Sequence, residues 1–231
     1  MTCAAIFLML FSLLGSTDAG HEPPREVLLA GEVYMPVFNY SGDPWYNDNW
    51  TEGSVQTMLG EEYQHQPLMY NMLLDEVFWL SPGLRQPVML DRGQVKAFSL
   101  KDQQGVLTWF EQVYIPDPIT GNRVGKYARV MHRCDSFRLF ALTHKQVSSR
   151  SERINRGGHI VHVRILRDSR RYFIERADGQ RMWVGLRHRS FLNAFGDQKA
   201  EVRSLLREQN VRVRDERTLA LAVRLLSEAG W

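Results

Sequence analysis

Residues 159–186 read HIVHVRILRDSRRYFIERADGQRMWVGL and residues 215–229 read DERTLALAVRLLSEA. The first stretch repeats every two residues. His159, Val161, Val163 and Ile165 share one face of an extended chain, and Ile160, His162, Arg164 and Leu166 share the other. The pattern predicts a meander of three strands, His159 to Leu166, Arg171 to Arg176 and Arg181 to Leu186, turning at Arg167 to Arg170 and at Ala177 to Gln180. In the second stretch the repeat is helical. Leu219, Ala222, Val223 and Leu226 form one apolar stripe, Arg217 and Arg224 face away, and Asp215 stands where a cap belongs. Between the two, Ser190 is expected to cap a short helix through Phe195, and Asp197 a second one that carries Val202, Leu205 and Leu206 and ends at Asn210. Strands that give way once to helices predict an α+β fold: a mainly antiparallel, curved β-sheet followed by two to three C-terminal helices packed on one side or end.

Upstream, turn signals at Ser41-Gly42-Asp43-Pro44, Ser81-Pro82-Gly83, Asp91-Arg92-Gly93, Gln104-Gly105 and Asp117 to Asn122 separate short runs rich in Val, Tyr, Phe and Trp. These runs read as antiparallel strands. Tyr70 to Trp79 is ambiguous, because Asp75-Glu76 would fall in mid-segment. No βαβ alternation occurs, which argues against a doubly wound fold. The sequence is expected to form one domain over 20–231, β-rich from 27 to 187 and helical from 190 to 229, with a soft internal boundary in the polar stretch 147–158.

Residues 1–19 carry an apolar run from Ala4 to Leu14 and a small-residue exit at Thr17-Asp18-Ala19, the pattern of a cleaved secretory signal. At 1.5 Å per residue the run is about 17 Å long, too short to span a bilayer core of about 30 Å. The expected address is the periplasm or the outside of a bacterial cell. No cysteine follows the apolar run, so no lipid anchor is expected. Cleavage would remove Cys3 and leave Cys134 alone, so no intrachain disulfide is expected. Sequons at Asn39 and Asn49 would matter only in an endoplasmic reticulum.

With 231 residues, 44% hydrophobic and 24% charged, the chain falls outside the disordered and multi-span membrane classes. Its formal charge of +3 is unevenly spread: Arg150 to Arg189 holds eleven arginines against Glu152, Asp168, Glu175 and Asp178. Such a stripe suits anionic lipid headgroups, acidic glycan or an acidic partner protein, with Arg164, Arg171, Arg176 and Arg181 as the candidate patch. Export would make nucleic acid the weakest partner, and none is expected. The competing explanation is a solvated sheet face in a composition that prefers Arg to Lys.

A resemblance rests on an ordered series of short signatures: Gly31-Glu32-Val33-Tyr34, Tyr40-Ser41-Gly42, Trp50-Thr51-Glu52-Gly53-Ser54-Val55, Leu68-Met69-Tyr70-Asn71 with Asp75, and Val95-Lys96-Ala97-Phe98-Ser99-Leu100. Tyr172-Phe173-Ile174 and the terminal helices complete it. In this order they resemble a group of exported α+β proteins of Bacteroidota, uncharacterised as to activity. The resemblance implies export and an α+β build, and it carries no cofactor or catalytic residue. The chain differs from that group in using Arg where its members tend to use Lys.

Direct signs of catalysis are few. The seven histidines include no His-x-x-x-His pair, and His159 and His162 fall on opposite strand faces, so no metal site and no cofactor is expected. Cys134 beside His132 has the residue types of a thiol nucleophile and base, yet alternation does not aim one at the other, and a small buried hydrophobe is the simpler reading of Cys134. There is no Gly-x-Ser-x-Gly, phosphate loop or Gly-x-Gly-x-x-Gly. Trp45, Tyr46, Asn47, Asp48 and Trp50 form the richest local patch. Rings that stack on sugar C–H faces sit there beside amide and carboxylate groups that bond hydroxyls. The competing reading has Trp45 and Trp50 closing a turn over the core. The function expected is therefore a non-enzymatic binding or scaffold protein of the envelope, with lipid, glycan or protein as ligand. A protein-interaction module using the Arg-rich face is the first alternative. An envelope-polymer hydrolase is the second, and it would need Asp75 or Glu76 to meet a His in a pocket.

Overall fold

The computed structural model describes residues 29, 31–33, 40–117 and 119–231. The expected signal segment 1–19, His21, Tyr34 and the Asn39 sequon lie outside them. Twelve strands occur among these residues: β1 Gly31–Val33, β2 Tyr40–Ser41, β3 Thr51–Thr57, β4 Glu62–Asn71, β5 Glu76–Ser81, β6 Gln86–Leu90, β7 Val95–Lys101, β8 Leu107–Pro116, β9 Arg123–Arg133, β10 Phe137–Arg156, β11 His159–Arg176 and β12 Arg181–Val184. Helices α1 His188–Asn193, α2 Lys199–Glu208 and α3 Glu216–Glu228 follow, with a 3₁₀ turn, Gly196–Gln198, before α2. The strands make one open sheet in the order β1-β6-β5-β4-β3-β7-β8-β9-β10-β11-β12. Every pairing is antiparallel except that β2 lies parallel to β11 at Arg164 and Ile165. The chain is thus mostly antiparallel sheet with three helices near its C-terminal end, as the change of period predicts.

The sheet is curled. Tyr70 of β4 and Tyr127 of β9 are four strand positions apart, about 19 Å across a flat sheet at ~4.8 Å per strand. Their ring centroids nevertheless lie 6.1 Å apart. Tyr70, Phe98, Phe110 and Tyr127 interlock on the inner face, with Phe98 and Phe110 stacked at 4.7 Å. Val55, Leu68, Val77, Trp79 and Leu100 complete this core. A second core lies further along the same face, where Leu139, Ala141, Tyr172, Ile174 and Val184 pack against Phe191, Val202, Leu206 and the α3 stripe Leu219, Ala222, Val223 and Leu226. That stripe is the one read from the sequence.

Several local expectations are corrected. The three-strand meander is instead one 18-residue strand, β11, followed by β12. Residues 167–170 do not turn, because Thr143, His144, Lys145 and Gln146 of β10 pair with them one for one, and Lys145 holds Asp168 at 2.7 Å. The run is polar because both its sides are largely exposed, not because the chain reverses there. The polar stretch 147–158 makes the far half of β10 and the Gly157-Gly158 turn. Tyr70 to Trp79 resolves into the β4–β5 hairpin, with Asp75 at φ +61° in its turn. Helix α1 starts after Arg187 with no side-chain cap, and Asp197 lies inside the 3₁₀ turn, so neither Ser190 nor Asp197 caps. Asp215 does cap α3, in a reciprocal box with Thr218.

Glu216, in the first turn of α3, fixes that helix to the sheet. It accepts from Arg129 of β9 at 2.5 Å and from the Tyr172 hydroxyl at 2.8 Å. Burial pushes its carboxyl up, but these two hydrogen bonds outweigh burial and leave it below its ordinary value. Glu216→Gln is expected to cost about 1.5–3 kcal/mol at neutral pH, the range for hydrogen bonds to a charged group. A carboxyl lowered in the folded state contributes stability above its unfolded pKa and loses it as pH falls through the lowered value. The gap between wild type and Glu216→Gln in urea unfolding should therefore shrink on acidification below about pH 4.

Candidate functional site

The face of the sheet opposite the helices carries a polar cleft of about 770 Å³, lined from β3, β7, β8, β9, β10, β11 and β12. Strand register assembles it. Ala97, Glu111 and Ala128 stand in one cross-strand row, and Arg138, Glu175 and Arg181 in another. Residues in a row point to the same side of the sheet, so two glutamates and the arginines beside them meet over the same floor.

The charges form a ladder. Arg133 and Arg138 grip the two oxygens of Glu111, the second at 2.8 Å. Arg138 reaches on to one oxygen of Glu175, and Arg181 Nε takes the other. Arg181 also donates to the Tyr114 carbonyl. Glu175 is buried, and a carboxylate there is tolerable only because both of its oxygens are paired. Below the ladder lies a small apolar floor of Val113, Ala128, Phe140, Leu142 and Phe173. Phe140 and Phe173 stack at 5.1 Å, with the Arg138 guanidinium 5.1 Å above the first ring and that of Arg181 5.3 Å above the second. The guanidinium planes are thus held from below by rings and from the side by carboxylates.

A second cleft of about 430 Å³ adjoins the first and shares Gln56, Ala97, Glu111 and Arg133 with it. Trp109 stands on its wall, 38% exposed. Lys96 lines the larger cleft and has no ion-pair partner among the described residues. Lys96, Arg133, Arg138 and Arg181 against Glu111, Asp135 and Glu175 leave the larger cleft one positive charge. The trough therefore offers fixed donors and acceptors, an exposed indole and a slight positive bias.

The residues singled out in the sequence are distributed differently. Trp45 meets Phe78 edge to face at 5.1 Å, on the face of β5 opposite Val77 and Trp79, and Tyr46 meets Phe110 the same way at 5.0 Å against the inner core, so each ring serves packing. The Asn47 amide donates to the Asn49 carbonyl at 2.6 Å and to the Thr51 hydroxyl at 3.0 Å, which closes the loop on itself. Tyr46, Asn47 and Asp48 come together with Lys101 and Asp102 around a smaller cleft of about 280 Å³, whose lining includes neither Trp45 nor Trp50. The four arginines are not neighbours. Arg164 and Arg176 lie twelve residues apart on β11, about 40 Å at ~3.3 Å per residue. Arg176 bonds Gln198 at 3.4 Å, Arg171 stacks on Trp183 at 3.8 Å, and Arg181 belongs to the ladder.

Asp75 is committed to the inside of the curled sheet. Its Oδ1 accepts from the Tyr70 hydroxyl at 2.6 Å and the Tyr127 amide at 3.2 Å, while Oδ2 lies 3.5 Å from both Arg92 and Lys126. Its nearest donors are thus hydroxyl, amide, guanidinium and ammonium. Cys134 is half-buried rather than buried, at the edge of the helix-covered core, and its thiol turns to Phe137, donating to its carbonyl at 3.1 Å. No group of three or more His, Cys, Asp or Glu among the described residues is placed to hold a metal ion.

Glu111, Glu175, Arg133, Arg138 and Trp109 were not anticipated as a site. Their trace in the sequence is a charge set among the apolar and aromatic residues of a strand, as in Trp-Phe-Glu111-Gln-Val, Phe-Arg138-Leu-Phe and Tyr-Phe-Ile-Glu175. No family model matches the chain, and comparison with curated proteins and with solved structures finds none similar to it.

Proposed function

We propose that the chain is an exported, non-catalytic binding protein whose outer sheet face takes a glycan, acidic sugars in preference to neutral ones. The observation that carries this reading is the polar trough itself: donors and acceptors locked in place by reciprocal ion pairs, with Trp109 exposed on its wall. Sugar recognition needs hydrogen-bonding groups that lose little freedom on binding and an aromatic face for C–H surfaces. An acyl chain would need an apolar lining, which this cleft does not offer. Both oxygens of Glu111 and of Glu175 are already taken by guanidinium groups, which suits holding a shape better than moving a proton. The apolar, small-residue-terminated start of the sequence and the resemblance to exported Bacteroidota proteins support an envelope address.

The test is titration of the chain with alginate or hyaluronan hexasaccharide and, in parallel, with cellohexaose, followed by tryptophan fluorescence and calorimetry. The acidic sugars should bind more tightly than the neutral one. Trp109→Ala and Lys96→Glu should each weaken binding about tenfold or more, in line with loss of a stacking platform or of a desolvated charge contact. Both side chains are substantially exposed, so the melting temperature should stay within a few degrees. Equal affinity of wild type and Trp109→Ala, or no heat with any of the sugars, would remove the cleft as a glycan site.

A further inference from the structure

The β10–β11 hairpin outruns the sheet. Strand β9 pairs with β10 only from Arg138 to Ala141, and β12 pairs with β11 only from Tyr172 to Glu175. The Lys145 amide makes one further tie, to the Met72 carbonyl at 2.9 Å. Beyond it residues 145–170 run on as a two-stranded arm about 35 Å long at ~3.3 Å per residue, touched by the two-residue β2 at Arg164 and Ile165.

The two faces of the arm differ. One carries Ile154, Val161, Val163 and Ile165, all buried or half-buried. The other carries Arg153 directly opposite His162, Arg164 opposite Ser151, and Asn155 opposite Ile160, all six exposed. Residues 145–170 hold seven Lys or Arg against Glu152 and Asp168. Lys145 already neutralises Asp168, and Arg153, Arg164 and Arg167 take no ion-pair partner among the described residues. At the tip Gly157 and Gly158 turn with φ of +59° and +87°, and Ile160 beside them is 71% exposed.

We propose that this arm docks on an anionic lipid surface, its arginines among the phosphates and Ile160 in the acyl boundary. A soluble polyanion would account for the charge but gives no use for a bare aliphatic side chain at the end of a ribbon. A bilayer interface accounts for both. Arginine pairs with phosphate through two parallel N–H groups and lays its aliphatic stem along apolar surface. Each cation near an anionic leaflet adds about a fivefold gain in partitioning, and a small apolar insertion supplements it.

The experiment is co-sedimentation of the full chain with vesicles of phosphatidylcholine alone and of phosphatidylcholine with about a third phosphatidylglycerol, at low and at roughly 0.15 M salt. Binding should require phosphatidylglycerol and weaken with salt. Arg153→Gln with Arg164→Gln should lower partitioning about thirtyfold. Ile160→Ser, which leaves the charge untouched, should lower it several-fold. All three side chains are exposed, so the variants should keep the wild-type melting temperature, and their affinity for the cleft's glycan probes should not change. Sedimentation that ignores phosphatidylglycerol, or that both variants leave intact, overturns the proposal. So does a wild type that binds heparin or duplex DNA but no vesicle.

Discussion

Gly53→Ala is expected to leave a chain that cannot hold its sheet together, with a loss of about 4 kcal/mol or more, at the upper limit for single substitutions. Gly53 lies in β3, the strand that joins the two halves of the sheet, paired with Gln66 of β4 on one side and Leu100 of β7 on the other. A methyl group there would sit 2.0 Å from the Ser99 carbonyl oxygen and 3.0 Å from Leu68 Cδ1. The first contact is with backbone, which has no rotamer to escape into, so relief means moving β7 away from β3. Phe98 and Leu100 ride on that backbone and are buried in the aromatic core, and Ser54 is tied to Ser99 through both its amide and its hydroxyl. Gly83→Ala is the control, since a methyl group at Gly83 meets nothing within 4 Å, and it should stay within about 0.5 kcal/mol of wild type. If urea midpoints of the two variants coincide, the close approach of β3 and β7 is wrong.

Asp75→Ala should cost about 3–5 kcal/mol, the range for breaking a buried charge network by removing one partner. This carboxylate is where the curled sheet meets itself. Asp75 sits in the β4–β5 turn, Arg92 in the β6–β7 turn, and Lys126 and the Tyr127 amide on β9, while Arg92 also donates to the Gly125 carbonyl at 3.1 Å. Removing Asp75 would strand the Tyr70 hydroxyl and the Tyr127 amide without acceptors in a dry interior, each with a desolvation cost. Asp75→Asn should cost less, because its amide oxygen can still accept both hydrogen bonds. Burial raises the Asp75 carboxyl above its ordinary value, against the opposing pull of Tyr70, Lys126 and Arg92. An acid raised in the folded state contributes stability below its unfolded pKa and loses it as pH climbs through the raised value. The advantage of wild type over Asp75→Asn should thus be greatest near pH 3 and narrow from about pH 4 upward. That is the reverse of the trend for Glu216, so one set of urea titrations tests both signs. A flat difference across that window would show that Asp75 titrates as an ordinary carboxyl.

Legibility in the sequence followed the range of the interaction involved. Asp215, Thr218 and the Leu219-to-Leu226 stripe interact within a few residues of one another, so periodicity placed α3 and its cap correctly. Glycine and proline marked the hairpin turns for the same local reason. Residues 167–170 misled because composition reports exposure, and a ribbon exposed on both sides looks like a loop until its cross-strand partners are known. The pair Asp75-Glu76 looked like a polar interruption. Its meaning depends on Arg92 and Lys126, 17 and 51 residues later, brought there by a curl that no local pattern encodes. The cleft is harder still, since Glu111, Arg138 and Glu175 meet only through register across four strands.

The order of the strands also sets a timetable for synthesis. From β7 to β12 each strand lies beside the one made just before it, so this part of the sheet can zip up hairpin by hairpin as the chain emerges. Strand β3 must wait with one edge bare through the whole of β4, β5 and β6 until β7 arrives. The face formed by Leu139, Ala141, Tyr172 and Ile174 waits longer, because its cover, α1 to α3, is made only after all the strands. A nascent chain stalled short of α3 would present that face to its neighbours as an adhesive patch, so arrival of the helices is the step that takes it out of reach of other chains.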